Sequence, residues 1–560
     1  MKVAVFGSGV GGLTAAHELI ERGFEVDVYD RLSIPGGKAR SVVVDRPGQE
    51  GLPGEHGFRF FPGFYRHVID TMARIPLDGG GHVVDNLVDA TMGYFAHPGG
   101  PPLKAPSIGP NSIKSLIEHL HDMTGFRTVL SDDDIEFFVG KMWQVMTSCD
   151  ERRLAEYEMV SWVDFIDAEH RSDAYQTWFA GAMTRTLIAA SGQKASARTV
   201  GDILVTLSID GMRWGSHSDR LLNGPTNEVW VGPWVEYLTS KGVRFHYEHH
   251  VDALHLDPAK GVLTGATLAS PTGPVTVTAD QYICALPVEV AAQLITDDIA
   301  DLAPSLAASR TLGSNVAWMS GLQIYLRHDA PIVNGHIAFA GTPWGLTAIS
   351  QNQFWKHRVE HDGDHTVRGI LSIDISDWDT KDQEGFSARD CDAATIERKV
   401  LEQIRACLPE LPPEQLADDN IHSFFIDPDI LFFDENGKPS TNHEPLYINE
   451  HGSHDVRPQA YTEIPNLYLA SDYVRTNTDL ATMEGANEAA RRAVNAILLR
   501  TRNDAPRCTI WAMHQPRPLA PLRWLDRRRF RRGQPWEPDV PAPLRWLSQL
   551  IHRLERKAAR

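Results

Sequence analysis

Residues 54 to 67, GEHGFRFFPGFYRH, put three glycines, five aromatics, two arginines, two histidines and a glutamate into fourteen positions. A surface loop of that composition would leave five rings wet, and a plain core strand would bury charge without a partner. A planar, partly charged ligand answers both objections. Bare backbone would let a flat group approach, aromatic rings would wall it, and a cation would meet its charge.

The first thirty residues name a class of ligand. Val3 to Phe6 form an apolar run suited to a buried parallel strand, and GSGVGG follows at 7 to 12. A helical stretch LTAAHELIERG comes next, then a second strand, FEVDVYD, that ends in Asp30. In such a βαβ unit Gly7 permits the tight turn, Gly9 lets the backbone approach a pyrophosphate, and Gly12 lets helix and strand pack closely. The phosphates would lie at the helix N-terminus, where free N–H groups and the helix dipole favour anions, and Asp30 would accept hydrogen bonds from a ribose. A second glycine pair with two cations, Gly36-Gly37-Lys38 and Arg40, is suited to clamping the same pyrophosphate from the other side. A simple NAD domain has no need of that second clamp, whereas FAD extended across a domain does.

The remaining elements must position this ligand. Residues 112 to 210 read as helices, with Ser131 as an N-cap before the acidic turn SDDD. From Gly242 the pattern turns to strands with period two, and Val251 in the first of them is a further candidate cofactor contact. In one continuous strand His249 would face away from His246 and His250, so no metal is expected there. Strands recur between 312 and 376, and ATIERKVLEQIRACL reads as an amphipathic helix. Near the end an apolar strand runs into Asp472, and a helix opens at Met483-Glu484-Gly485-Ala486. The acid is placed to hold a ligand hydroxyl, and the helix N-terminus to stabilise charge on a reduced ring.

The bulk properties narrow the class. A net charge of −19 argues against a nucleic-acid partner, which needs clustered Lys and Arg. Five cysteines without a CxxC pair suggest neither a zinc site nor a disulfide framework, and a reducing cytoplasm is expected. No signal peptide is read at the N-terminus. From Arg517 the character changes: twelve Lys or Arg face four Asp or Glu, and PLRWL occurs at 521 to 525 and again at 543 to 547. Such a tail suits either a membrane interface or the protein's own acidic body, so peripheral membrane contact through 517–560 is one expectation.

These segments resemble the flavin-containing amine oxidase and carotenoid desaturase superfamily over roughly residues 1 to 500. LYLASDYVRTNTDLATMEGA is similar to the flavin segment of plant-type phytoene and zeta-carotene desaturases, and GFRFFPGFYRH to their Gly-x-His-x-Phe segment. The chain also looks like the hydroxysqualene dehydroxylases. The resemblance implies an α/β fold, with a Rossmann-like FAD domain assembled from 1–110, 226–295 and 441–500. It also implies a helical insertion at 111–225, an interleaved α+β substrate domain at 296–440, and a tail at 501–560.

By the same resemblance, Gly57 and Phe58 lie beside the flavin, with Arg59 where plant-type enzymes carry His. Ser471 departs from the usual Gly before the acid. No cysteine lies between 407 and 508, where covalent-flavin amine oxidases carry theirs, so noncovalent FAD is expected. The implied activity is hydride transfer from a hydrophobic, isoprenoid-like substrate to flavin. Arg59 would stabilise charge, and Glu55, His56 and Tyr473 are the proton-transfer candidates. The alternatives are an amine or amino-acid oxidase and a non-catalytic prenyl-binding chaperone.

Overall fold

A computed structural model of the chain describes residues 1–109, 125–185, 191–213, 216–433 and 439–538. The helix read at 112–123, the end of the one read at 173–191 and the second PLRWL lie outside these residues.

Four separate parts of the chain build one parallel sheet, ordered Leu467–Leu469, Gln281–Cys284, Lys2–Phe6, Glu25–Tyr29, Arg244–His246. Val3 to Phe6 are fully buried, as a parallel strand covered on both faces requires. Against this sheet the helix Val10–Ile20 meets the helix Met483–Arg500. Gly11 lies so close to the Ala470 carbonyl that a Cβ would approach it to 1.9 Å, and Asn487 Nδ2 donates to Thr14 Oγ1 at 2.8 Å.

A seven-stranded sheet forms the second layer, ordered Ile421–Ile426, Ser320–Leu326, Gly369–Ile375, Leu346–Ser350, Ile337–Phe339, Met92–Ala96, Leu103–Pro106. Strand alternation gives it two characters. Leu322, Ile324, Leu326, Leu371, Ile373 and Ile375 close on Ile396, Val400 and Ile404 of the helix Ala393–Cys407. The opposite face carries Gln323, Ser372, Asp374 and Thr347. A helical layer includes Asp132–Thr147, capped by Ser131 accepting from the Asp134 N–H, and Ala197–Met212, capped by Ser196.

One expectation is corrected. The strand read across 242–257 is two strands: Arg244–His246 joins the parallel sheet, while His250–Asp257 opens an antiparallel hairpin. The chain turns a corner between them, with Glu248 in the left-handed region at φ 58°. Alternation therefore does not run through the corner. His246 meets Asp27 at 3.0 Å, whereas both His249 and His250 reach the central cavity.

Among the described residues, no helix is long and apolar enough to cross a membrane. The first part of the basic tail lies on the protein's own helices. Asp526, in the helix Ala520–Phe530, is buried against Arg152, and Arg527 pairs with Glu151 at 2.8 Å.

Candidate active site

A cavity of about 650 Å³ runs between the two sheets. At one end it is lined by Gly7, Gly9, Asp30, Gly36, Gly37, Lys38 and Val251. Gly7 has φ 105°, a conformation that glycine adopts without strain, and this sharp turn delivers the chain into the helix. The first intrahelical bond runs from Leu13 N to Gly9 O at 2.9 Å, so the first-turn N–H groups before it have no partner within the helix. Asp30 is fixed by Ser8 N at 2.6 Å, Ser8 Oγ at 2.7 Å and Leu32 N at 2.8 Å.

Gly9 and Gly12 differ in what requires them. A Cβ on Gly12 would lie 1.8 Å from the Gly7 carbonyl oxygen, which is a packing demand. A Cβ on Gly9 would meet no heavy atom nearer than Gly37 Cα at 3.8 Å, so the protein leaves room on its cavity side. That open space beside unpaired N–H groups fits the pyrophosphate of a dinucleotide.

Arg40 lies elsewhere than the clamp reading expected. It is 6% exposed and outside the cavity lining, and its guanidinium is engaged by Glu444 at 2.9 Å, by Asp429 and by the Gly37 carbonyl. Lys38 does line the cavity, with Glu289 at 2.9 Å and the Pro445 carbonyl as partners. His56, which also lines the cavity, pairs with Asp427. With Asp429 these two form the one three-residue group among the described residues whose ligand atoms lie within 4.8 Å of one another. Arg40 already supplies the countercharge there.

The opening stretch divides in the same way. Phe58, Arg59, Phe60, Phe64 and Tyr65 line the cavity. Arg59 donates to the carbonyls of Ala39 at 3.2 Å and Lys38 at 3.0 Å. Burial weakens its hold on its proton, and Glu55 and Asp374 oppose that effect. Gly57 is not itself part of the lining, but it packs against a wall residue, since a Cβ there would sit 2.6 Å from Asp374 Oδ1. Glu55 lies behind Arg59 and accepts from Thr226 N and Oγ1, both at 2.9 Å. Burial raises its pKa above the usual carboxylate range.

From the C-terminal segment Asp472 and Met483 line the cavity, whereas Tyr473, Glu484 and Gly485 do not. Tyr473 is 2% exposed, and burial pushes its hydroxyl well above the ordinary range. Glu484 instead accepts from the N–H groups of Arg66 at 2.7 Å, His67 at 2.8 Å and Val68 at 2.9 Å, tying the 54–67 stretch to the C-terminal helix. The Gly485 N–H donates to the N-cap, Thr482.

Three wall residues escaped the sequence reading: Asp374, His336 and Asp219. Asp374 stood in GILSIDI as the one carboxylate of an apolar strand, a signal that alternation could have exposed. His336 and Asp219 are 117 positions apart and carry no local signal. Burial, opposed by Arg59, pushes Asp374 up to about 6 from an ordinary 3.8. The folded state thus keeps a proton that the unfolded chain releases between pH 4 and 6. Asp374→Asn should therefore gain stability relative to wild type as pH rises through that window, by about 2–3 kcal/mol in full above pH 6. Urea unfolding at pH 4.5 and 7.5 checks this; a difference independent of pH would refute it.

The chain matches the family described as flavin containing amine oxidoreductase over residues 10–498. It is 22% identical to the zeta-carotene desaturase of Arabidopsis thaliana, over 89% of this chain and 85% of that one. It is likewise 22% identical to the 15-cis-phytoene desaturase of Synechococcus elongatus, over 89% and 96%. Its fold is shared by cyclohexylamine oxidase from Brevibacterium oxydans, with a TM-score of 0.55 at 16% identity, covering 90% of this chain and 99% of that one. The chain therefore belongs to the flavin-containing amine oxidoreductases and is an FAD-dependent oxidoreductase.

Proposed function

We propose that the protein binds FAD noncovalently and oxidises a hydrophobic, isoprenoid-like substrate. The observation that carries this reading is the continuity of the cavity. It runs from the glycine turn, past Phe58 and Arg59, to the apolar residues Val200, Ile203 and Leu207 of the helix Ala197–Met212. Among the described residues no cysteine lines it, which supports noncovalent attachment. The carotenoid desaturase relatives support the substrate class.

When bound, FAD supplies a two-electron acceptor for hydride. The chain's own residues do the rest. Gly7, Gly9 and the helix N-terminus would hold the pyrophosphate, Asp30 a ribose, and Asp472 and Met483 would be further contacts of the cofactor. Arg59, held by two carbonyls, is a fixed cation beside the aromatic wall, and the apolar helix face excludes water and orients the substrate. Of the residues considered for proton transfer, His56 reaches the cavity, while Glu55 acts only through Arg59. The basic tail would add peripheral membrane contact through 517–560.

The visible spectrum of the purified protein, before and after denaturation, tests the cofactor. A flavin released into the filtrate is expected; a colourless protein that FAD cannot reconstitute would sink the reading. Anaerobic mixing with zeta-carotene should then bleach the bound flavin. A second reading, an amine oxidase, draws on the Asp374 carboxylate in the wall, and peroxide formation with an amine panel would favour it.

A further inference from the structure

The cavity is apolar along the Ala197–Met212 helix, but its opposite wall carries a built polar site. His336 Nδ1 lies 2.7 Å from Asp219 Oδ2, and the ring is held edge-on by Phe58, at 5.0 Å between centroids, and Phe60, at 4.6 Å. All four residues line the cavity. Asp219 is 7% exposed, and its Oδ1 has no partner among the described residues. Register explains the grouping. Ala338 pairs with Thr347 and Thr347 with Asp374, so alternation puts His336, Ala338, Thr347 and Asp374 on one face.

In a neutral imidazole a carboxylate acceptor on Nδ1 selects the tautomer with the proton on Nδ1, which leaves Nε2 as an acceptor. Nε2 has no partner among the described residues. Of the acids around it, Asp219 faces Nδ1 and Asp374 faces Arg59. A carboxylate ligand would be repelled by both acids, and an ammonium would be drawn to the open Asp219 Oδ1 rather than to Nε2. A hydrocarbon would cover Nε2 and leave a polar atom unsatisfied, which is unfavourable. The group that completes the site is a neutral hydrogen-bond donor.

We propose that His336, positioned by Asp219, accepts a hydrogen bond from a hydroxyl group at the end of an otherwise apolar substrate. The proposal rests on the isoprenoid reading above and adds an oxygen to the substrate. The Thr347 hydroxyl, a diagonal neighbour on the same face, is available to donate to that oxygen.

Three probes of one chain length separate the possibilities: farnesol, farnesene and farnesylamine, with dissociation constants read from protein and flavin fluorescence of the full-length, flavin-loaded enzyme. Farnesol should bind about tenfold more tightly than farnesene, the ratio one neutral hydrogen bond supports. His336→Phe keeps the ring packing and removes Nε2; it should erase that ratio while leaving farnesene unchanged. Asp219→Ala should erase it too, and serves if His336→Phe does not fold. Because both probes share the apolar chain, general loosening would weaken them together and preserve the ratio. Equal binding of farnesol and farnesene, or a ratio that survives both substitutions, would overturn the proposal and leave the isoprenoid reading standing. Tightest binding by farnesylamine, lost in Asp374→Asn, would overturn it in favour of an amine. Failure of all three to bind would remove the isoprenoid reading and this proposal together.

Discussion

Gly12→Ala should strongly destabilise the dinucleotide end of the protein, whereas Gly9→Ala should leave the fold intact and release the flavin. The two residues lie three positions apart in one turn and look alike in sequence. At Gly12 the added methyl would stand 1.8 Å from the Gly7 carbonyl oxygen, with Gly7 itself held at φ 105°. Backbone cannot swing aside as the end of a side chain can. The cost is thus at the upper end of overpacking, about 3 kcal/mol, against a domain stability of about 5–15 kcal/mol. At Gly9 φ is −72°, which alanine adopts freely, and no protein atom lies nearer than 3.8 Å. The apoprotein of Gly9→Ala should match wild type, or gain up to about 1 kcal/mol through a less flexible unfolded chain. Its methyl occupies the space left for the pyrophosphate, so FAD affinity should fall by about 100-fold. Urea unfolding of the apoproteins, followed by FAD titration, gives both readouts. If Gly9→Ala binds FAD like wild type, the pyrophosphate does not lie against Gly9.

That contrast shows what the sequence could and could not yield. The βαβ unit was legible because its signals are local: an apolar run, a glycine turn, a helix and an acid follow within thirty residues. The C-terminal strand and helix were legible for the same reason. The fate of individual charges was not. Lys38 and Arg40 look equivalent in GGKAR, yet Arg40 is taken by Glu444 and Asp429, about four hundred positions away, and leaves the cavity. Glu484 appeared to belong to a flavin site by its place in MEGA, but it satisfies the N–H groups of Arg66 and His67, the last two residues of the 54–67 stretch, and of Val68 just after it. The question that stretch raised has a mixed answer: five of its aromatics and cations line the cavity, while Glu55 and Gly57 do not. His336 and Asp219 could be joined only by the fold, since a histidine before one strand and an acid before another say nothing of each other.

The second large effect concerns the tail. Its composition allowed two destinations, a membrane or the acidic body, and the buried pair Arg152–Asp526 favours the body for residues 517–538. Arg152 is fully buried, and Asp526 engages its Nε at 3.0 Å while also accepting from the Cys149 N–H at 2.8 Å. The other partners of Arg152 are the half-exposed Glu156 and the Gln534 carbonyl, which belongs to the tail itself. Asp526→Ala would leave the buried guanidinium with only Glu156 and the Gln534 carbonyl as hydrogen-bond partners, and losing one member of such a pair costs about 3–5 kcal/mol. The urea midpoint should fall accordingly, and trypsin should cut early in the arginine cluster at 527–532 as the helix lifts away. Asp526→Leu combined with Arg152→Met should restore most of the loss, because a buried ion pair is worth little more than well-packed apolar groups. Trp524 and Leu525 point outward, 50% and 41% exposed, with Arg528 over the Trp524 ring. Docking through Asp526 thus leaves the Trp-Leu edge of the same helix free. If that edge binds membrane, wild type and the double variant should co-sediment equally with anionic liposomes, and deletion of 517–560 should abolish binding. If only the released Asp526→Ala tail sediments, body and membrane compete for one face of the helix, and the ion pair is what decides between them.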